Sequence, residues 1–325
     1  MNCTLEQIAN KIRQAQRIAI FTHMRPDGDA FGSAMSLSYA LKQLGKDSEV
    51  FVEGGIVPSN LAFVEGFHEI KKYPETQNYD LLVCVDCSEL YRLGTLSDEY
   101  LKFTRKKVPT INIDHHISNP RFADYNFVRE CAANCMNMAK LVEYLGVPFD
   151  KTLSEYLMVG LLTDSGNFAH DDVGEEALTL AGKLAKGGAN ISYFVYHLFK
   201  KQTKVRAKLF AKTMSGMRYF HDGKMSLIVI TKQAMTETGA DLGSTEGFVD
   251  FPLNVEGVEV ACSLMEMNYR QYKVSLRSKT YADVNKIAGV FGGGGHIRAA
   301  GCMLFGDLEE VIDKLSYAVS QYLED

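Results

Sequence analysis

Acidic and histidine side chains recur through the first half of this chain. The stretch FTHMRPDGDAFGS, residues 21–33, places His23, Asp27 and Asp29 on one short loop interrupted by a proline. Similar groups follow at Asp86, Asp114, His115, His116 and Asp164. Taken singly, such a residue is typical of a turn or a helix cap. Their chemical meaning therefore depends on whether the fold brings them together.

This combination of side chains is suited to divalent cations. Several carboxylates held together without cations would repel one another and lose hydration. Carboxylate oxygens combined with imidazole nitrogens favour Mn²⁺ over Zn²⁺, with Mg²⁺ as an alternative. Two ions sharing six protein ligands would leave coordination positions for water and substrate. The residues therefore predict a two-metal hydrolytic centre.

The elements that position these groups are predicted from runs of apolar residues. β-Strands are predicted at residues 17–23, 48–53, 80–86 and 108–114. Continuous apolar strands of this kind are typical of a parallel sheet covered on both faces. His23, Asp86 and Asp114 stand where three of these strands end. Because ligands gather beyond the carboxyl ends of parallel strands, we expect these side chains to converge at one edge.

The remaining pattern predicts an α/β protein of two domains. Helices are predicted at residues 29–45, 133–146, 153–166, 175–188, 282–290 and 308–323, with helical pattern across 192–220. Strands reappear at residues 224–233, 258–267 and 272–279. We predict a mostly parallel, doubly wound domain over 1–190, a helical linker over 191–220 and a smaller mixed α/β domain over 221–325.

A glycine run marks a second candidate site, FGGGGHIRAAG at residues 291–301. Successive glycines let the backbone approach a ligand and expose consecutive N–H groups to an anion. No Gly-Lys-Ser/Thr follows the run, and Ile297 breaks the GxGxxG spacing, so neither familiar nucleotide loop is present. Periodicity alone favours a flexible turn. His296 and the nearby Arg277, which can bind a phosphate through two N–H groups, favour a ligand site instead.

Charge and hydropathy limit the function classes. The net charge of −5 provides no basic field for coating long nucleic acid, but leaves small anionic ligands open. No apolar segment is long enough to span a bilayer, and the N-terminus lacks the apolar core of a signal peptide. We therefore expect a cytoplasmic protein without membrane partners.

The cysteines and the other histidines receive no catalytic role. Seven cysteines without a regular spacing indicate reduced thiols. The CVDC stretch could suggest zinc, but Cys84 and Cys87, three apart on a buried strand, should point to opposite faces and fill the core. Four histidines are expected to be solvated at the surface: His68, His170, His197 and His221.

Four ordered stretches resemble the motifs of the DHH phosphoesterase family: HMRPDGDAFGS, VDCS, NIDHHISN and TDSGNF. The later stretch LRSKTYADVNKIAGVFGGGGHIRAAG resembles the C-terminal substrate domain associated with that family, so the likeness covers nearly the whole chain. The chain is similar to the bacterial and archaeal nanoRNases of the family. One departure is CAANCMNMAK, where a helix start rich in serine and threonine is expected; Asn134 is expected to cap that helix.

The resemblance implies residue roles. It implies one manganese ion on His23, Asp27 and Asp86, and a second on Asp29, Asp86, His115 and Asp164. It implies that His116 contacts the scissile phosphate or assists the leaving group, and that Asp114 orients the neighbouring histidines. It implies substrate binding, across a cleft from the metals, by Arg277, Ser278, Gly292, Gly293, Gly294, Gly295, His296 and Arg298.

The expected function is hydrolysis of small phosphoesters by a hydroxide that two Mn²⁺ or Mg²⁺ ions activate. The substrates implied are oligoribonucleotides of two to five nucleotides, cut to mononucleotides, and 3′-phosphoadenosine 5′-phosphate, converted to AMP and phosphate. The alternatives are a manganese pyrophosphatase or exopolyphosphatase-like enzyme, a RecJ-type exonuclease on longer DNA, which the net charge disfavours, and a non-catalytic nucleotide sensor. The order of preference among the substrates, the polarity of attack and a homodimeric assembly are left open.

Overall fold

The structure of this chain, a computed structural model, describes residues 2–74 and 78–324. These divide into two units, Met1–Lys201 and Gln202–Asp325. The segment predicted as a linker, residues 191–220, is split between the two units. No helix in the described part of the chain combines the length and the apolar character needed to cross a bilayer.

The first unit is built on a five-stranded sheet. Its strands are β1 (Arg17–Phe21), β2 (Asp47–Phe51), β3 (Leu81–Val85), β4 (Thr110–Asp114) and β5 (Tyr125–Val128). They lie in the order β2-β1-β3-β4-β5, and every neighbouring pair is parallel. The chain leaves β1 toward one side for β2 and returns on the other side for β3. That change of direction creates a switch point, where parallel sheets bind ligands.

Helices cover both faces of this sheet. They are α1 (Leu5–Gln14), α2 (Gly28–Gln43), α3 (Leu96–Arg105), α4 (Asn134–Leu145), α5 (Lys151–Asp164), α6 (Glu175–Lys186) and α7 (Ile191–Val195). Side chains alternate along β1: Ile18 and Ile20 pack with α1, α2, α4 and α5, whereas Ala19 and Phe21 pack with α3. All four are fully buried. The predicted doubly wound parallel sheet is confirmed.

The second unit contains a mixed sheet of six strands. Its elements are α8 (Lys204–Met214), β6 (Arg218–Phe220), β7 (Met225–Ile230), α9 (Lys232–Thr238), α10 (Asp250–Leu253), β8 (Val260–Asn268), β9 (Gln271–Ser278), α11 (Val284–Gly289), β10 (Gly294–His296), β11 (Ala299–Phe305) and α12 (Leu308–Ser320). The order is β10-β11-β9-β8-β7-β6, with β7 and β8 parallel and the other pairs antiparallel. The predicted mixed α/β unit is confirmed.

Some elements were not predicted from the sequence, among them α1, α3, α9, α10 and β11, and one predicted helical stretch is interrupted. The helical pattern over 192–220 is interrupted: α7 continues into a π-helical turn at Tyr196–Lys200, α8 begins at Lys204, and the segment ends in β6. β5 and β10 were not predicted. Each of these strands has only three or four residues and receives its hydrogen bonds from a neighbouring strand, so hydropathy carries little signal for it.

Glycines bring α2 and α5 into close contact beneath the edge of the first sheet. A Cβ on Gly32 would lie 2.5 Å from the Tyr156 carbonyl oxygen, and a Cβ on Gly160 would lie 2.6 Å from Oδ1 of Asp29. The same Cβ on Gly160 would lie 2.2 Å from Sγ of Cys135. Because these two positions carry no side chain, the Asp29 side chain of α2 can lie against both α4 and α5.

Gly160→Ala is expected to destabilise the metal-free protein by about 1–3 kcal/mol, because the new methyl group overlaps Asp29 and Cys135. Urea denaturation provides the measurement. Gly182→Ala is the matched control, since nothing lies within 4 Å of a Cβ at this position in α6. There the gain in helix propensity should leave stability unchanged or raised by up to about 1 kcal/mol. Equal stability changes for the two variants would contradict the packing argument.

Candidate metal centre

Three neighbouring strands deliver acidic and imidazole groups to one edge of the first sheet. His23 lies two residues after β1, Asp86 directly follows β3, and Asp114 ends β4. Asp86 has a left-handed backbone, with φ of 50°. This turn also makes one expectation wrong: Cys87 folds back into the same buried cluster as Cys84, instead of pointing to the opposite face.

The loop between β1 and α2 is shaped by its aspartates. Oδ1 of Asp27 accepts hydrogen bonds from the backbone N–H groups of Asp29 and Ala30, both at 3.0 Å, so Asp27 caps α2. Asp29 lies in the first turn of α2 and is fully buried.

Asp29 also caps a second helix. Its carboxylate accepts hydrogen bonds from the backbone N–H groups of Asn134 and Cys135, which begin α4. The expectation that Asn134 caps α4 is wrong: Asn134 is the first helical residue, and its side chain donates to Oγ of Ser33 instead. A carboxylate from α2 takes over the cap because the α2–α5 crossing places it at the helix N-terminus, where negative charge is stabilised.

The structure brings seven of the predicted residues into three overlapping groups. Within each group, the possible ligand atoms all lie within 4.8 Å of one another. The groups are His23, Asp27 and Asp86; Asp29, His115 and Asp164; and Asp86, His115 and His116. Asp86 belongs to two groups, with Oδ2 3.5 Å from Nε2 of His23 and Oδ1 3.5 Å from Nε2 of His115. Among the described residues, Asp86 and His115 therefore link the three groups, since His115 also belongs to two of them.

One buried oxygen indicates that a cation fits this arrangement. Oδ1 of Asp86 is buried and has no hydrogen-bond partner, although Asp86 is only 2% exposed. A buried carboxylate oxygen that accepts no hydrogen bond is costly, and the nearest charged neighbour of this one, Nε2 of His115, lies at 3.5 Å. A divalent ion with oxygen and nitrogen ligands would satisfy it, and the donor set of aspartates and histidines suits Mn²⁺ or Mg²⁺.

Asp114 stands behind this cluster and fixes His116. Nδ1 of His116 donates to Oδ1 of Asp114 at 2.8 Å, and the buried Asn119 donates to Oδ2 of Asp114 at 2.6 Å. Nδ2 of Asn119 also donates to Oδ1 of Asn112 at 2.8 Å. Asn119 lies within the NIDHHISN stretch, but no sequence pattern indicates a role for it. Only the tertiary contacts identify the residue that holds the Asp114 carboxylate.

Burial and mutual charge shift the protonation of the cluster. Burial lowers the pKa of His23, but the interaction with Asp86 outweighs it and raises the pKa to about 9. For His115 burial is likewise outweighed, mainly by the charges of Asp29 and Asp86, and its pKa is also raised to about 9. Burial raises the pKa of Asp164 to about 6 and that of Asp29 well above its ordinary value. Without cations, the site therefore retains protons to balance its carboxylates.

Asp114 shows the opposite behaviour. Burial alone would raise the pKa of its carboxyl group, but the hydrogen bonds from His116 and Asn119 outweigh burial and lower it. Asp114 thus remains an ionised acceptor for Nδ1 of His116.

The predicted substrate residues of the second unit do not share one environment. Arg277 lines a cavity, whereas others contact the backbone of the protein. Arg277 lines a cavity of about 400 Å³ on one face of the sheet, together with Lys273, Ser275 and Thr245. Nη1 of Arg277 donates to the Leu276 carbonyl oxygen at 3.0 Å, and Nε lies 3.6 Å from Oδ1 of Asp250.

Ser278 and Arg298 are engaged in backbone contacts. Ser278 is buried on the other face of β9, where Oγ donates to the Ala282 carbonyl oxygen at 2.6 Å. Arg298 donates to the carbonyl oxygens of Thr280 and Ala282. Both residues hold the turn between β9 and α11.

The glycine run does not present a row of free N–H groups. The N–H groups of Gly292 and Gly293 donate to carbonyl oxygens at the end of α11, and that of Gly295 donates to Oδ1 of Asn285. Gly294, Gly295 and His296 form β10 and are exposed. A Cβ on Gly293 would lie 2.2 Å from the Gly301 carbonyl oxygen, so at this position glycine permits the close approach of β11.

Comparison with known proteins supplies two family matches. The model described as the DHH family, N-terminal domain, matches residues 17–161. The model of the DHHA1 domain matches residues 226–325. The two matches fall in the first and the second unit, respectively.

The similarity to individual relatives extends over nearly the whole chain. The chain is 32% identical to the bifunctional oligoribonuclease and PAP phosphatase NrnA of Thermus thermophilus, over 94% of this chain and 90% of the relative. An exopolyphosphatase-related protein from Bacteroides fragilis has a similar structure, with a TM-score of 0.82, 26% identity and coverage of 98% and 96%. The exonuclease RecJ bound to manganese shares the fold, with a TM-score of 0.50, 14% identity and coverage of 99% and 95%.

Cation binding is expected to expel about two protons near neutral pH, because His23 and His115, with pKa values raised to about 9, must lose their protons to become ligands. The apparent Mn²⁺ affinity should therefore increase as the pH rises toward 9. Calorimetric titration in buffers of different ionisation enthalpy measures the protons released. The exposed His68→Gln serves as the control and should leave their number unchanged. Binding without proton release would contradict the assignment of these imidazoles as ligands.

Proposed function

This chain belongs to the DHH family of phosphoesterases, and from that premise we propose that it hydrolyses very short oligoribonucleotides and 3′-phosphoadenosine 5′-phosphate. The products would be mononucleotides in the first case and AMP with phosphate in the second. The observation that carries the proposal is the cluster around Asp86, in which three groups of possible ligands share their members. The NrnA relative, named for both activities, supports this choice of substrates.

Two cations, Mn²⁺ or Mg²⁺, would be held by the residues of this cluster. His23, Asp27 and Asp86 would hold one ion, and Asp29, Asp86, His115 and Asp164 the other. Oδ1 of Asp86, which is buried and accepts no hydrogen bond, supports its role as the shared ligand. When bound, the ions supply Lewis acidity, which lowers the pKa of water and offsets the negative charge on a phosphate group.

His116 would act on the phosphate ester itself. Its Nδ1–H group is committed to Asp114, which leaves Nε2 for the substrate. In its protonated form His116 carries a proton on Nε2, which it can donate to a phosphoryl oxygen or to the ribose oxygen that leaves. Water attacks phosphorus and releases one of its protons to the solvent, the bond between phosphorus and the ribose oxygen breaks, and that oxygen takes up the proton from His116. The same sequence of bond changes serves a diester and a terminal monoester.

The second unit would bind the nucleotide portion of the substrate. Arg277 is the best candidate, because its guanidinium group lines the 400 Å³ cavity and can bind a phosphate through two N–H groups. His296 and Gly294 are exposed and remain candidates, whereas Ser278 and Arg298 would act by holding the turn beside them.

One competing function has a specific observation in its favour. The structural relative from Bacteroides fragilis is named as exopolyphosphatase-related, so inorganic polyphosphate is the second candidate substrate. The cavity lined by Lys273 and Arg277 is compatible with either phosphate. A cytoplasmic location and a homodimeric assembly stay predictions.

Turnover of a substrate panel tests the proposal. With Mn²⁺ present, an RNA dinucleotide and 3′-phosphoadenosine 5′-phosphate should be hydrolysed faster than a longer RNA, pyrophosphate or polyphosphate. Asp86→Asn should lower both favoured activities by at least about 100-fold, because it weakens both cation sites. Asp98→Asn, an exposed change on α3, is the matched control. Exclusive hydrolysis of pyrophosphate or polyphosphate would refute the nucleotide proposal, and full activity of Asp86→Asn would refute the metal centre.

Arg277→Ala should raise KM for both nucleotide substrates about tenfold with little change in kcat, because it removes a charged hydrogen-bond donor proposed to bind the nucleotide portion rather than the reacting phosphate ester. Arg218→Ala is the control, since Arg218 forms an exposed ion pair with Glu309 in the same unit. Steady-state kinetics on the dinucleotide separates KM from kcat. An unchanged KM would exclude Arg277 as a substrate-binding residue.

A further inference from the structure

The chain takes an unusual path immediately after Asp164. Three successive residues, Gly166, Asn167 and Phe168, have left-handed backbones, with φ of 56°, 58° and 65°. Two of them carry side chains for which this conformation is unfavourable, and such a run persists only where surrounding contacts hold it. Those contacts are present.

Hydrogen bonds to the end of α5 hold the turn in place. The N–H group of Asn167 donates to the Leu162 carbonyl oxygen at 2.8 Å, and that of Phe168 donates to Oγ of Ser165 at 3.1 Å. The Phe168 ring also packs against the core of the first unit. The turn is therefore anchored both to the helix and to the core.

The consequence of this path is the position of His170. Its Nδ1 lies 2.8 Å from the carbonyl oxygen of Asp164. Because a carbonyl oxygen only accepts, Nδ1 carries the hydrogen. The ring lies against Gly166, where a Cβ would come within 2.4 Å of Nε2, so glycine leaves the space that the imidazole occupies. His170 was expected to be a solvated surface residue. It is exposed, but one of its nitrogens is committed.

The hydrogen bond from Nδ1 of His170 is accepted by Asp164, the last residue of α5. The carbonyl oxygens of the last helical turn lack partners within the helix, and His170 supplies one for Asp164. Fixing the peptide group of Asp164 also fixes the direction in which its side chain leaves the backbone. That side chain reaches the cluster, with Oδ2 3.4 Å from Nε2 of His115.

We propose that His170 is a positioning residue for Asp164, acting through its Nδ1–H group, and that it thereby sustains the affinity of the site for a divalent cation. The inference rests on the proposed function in taking Asp164 as a cation ligand. Nothing in it requires His170 to touch the cation or the substrate.

Three substitutions distinguish the two nitrogens of the ring. His170→Asn keeps an N–H donor at the place of Nδ1 and removes Nε2. His170→Gln extends its amide toward the place of Nε2 and has no donor at Nδ1. His170→Ala removes both. Titration of the full chain with Mn²⁺ gives the affinity of each variant, and thermal unfolding of the metal-free protein gives its stability.

We expect the Ala and Gln variants to bind Mn²⁺ about tenfold more weakly and the Asn variant to bind it within about twofold of the unchanged protein. Retained affinity in all variants would overturn the proposal. So would a loss of thermal stability without a loss of affinity, which indicates a structural cap alone. Weakened binding in Asn together with retained binding in Gln would also overturn it, because Nε2 would then be the functional atom.

Asp164→Asn separates this proposal from the proposed function. If Asp164→Asn weakens Mn²⁺ binding but His170→Ala does not, the inference about His170 fails while the metal centre stands. If Asp164→Asn leaves Mn²⁺ binding unchanged, the ligand assignment fails, and the inference about His170 fails with it.

Discussion

The crowding of carboxylates around Asp86 is the constraint on which the candidate site depends. Four aspartates and three imidazoles meet at one sheet edge, and one oxygen of Asp86 is buried without a hydrogen-bond partner. In the metal-free protein the balance comes from protons on His23 and His115 and from raised pKa values at Asp29 and Asp164. The site is therefore already folded without cations, and a cation that binds there displaces protons from its ligands.

The surrounding fold resists relaxation of this crowding. Asp29 cannot withdraw, because its carboxylate caps α4 and Gly160 of α5 approaches it closely. Asp114 is held by Asn119, and Asp164 stands at a helix end bonded to His170. Asp29, Asp114 and Asp164 thus each have a structural role in addition to the proposed chemical one. Such commitments pre-organise a site, because the ligands are already in place before a cation arrives.

In the second unit, the glycine run serves mainly the packing of the fold, and Arg277 is the candidate for ligand binding. Its glycine run, which suggests an anion-binding loop in the sequence, is largely used within the fold: three of the four N–H groups are engaged, and Gly293 admits the close approach of β11. Arg277, on the opposite face from the buried Ser278, keeps its side chain in a cavity. Consecutive glycines can form either a loop with free N–H groups or a turn whose N–H groups bond within the fold. The neighbouring backbone determines which of the two forms.

By itself, the sequence determined the parallel sheet and the identity of its chemical groups. Apolar runs that end in His23, Asp86 and Asp114 require a buried sheet with polar groups at its edge, since local hydropathy governs burial. The tertiary structure alone decided which partner each group meets. The cap of α4 by Asp29, the bond of Asn119 to Asp114 and the return of His170 to Asp164 join residues from 5 to 106 positions apart. Short strands such as β5 and β10 likewise depend on neighbours that no local pattern specifies.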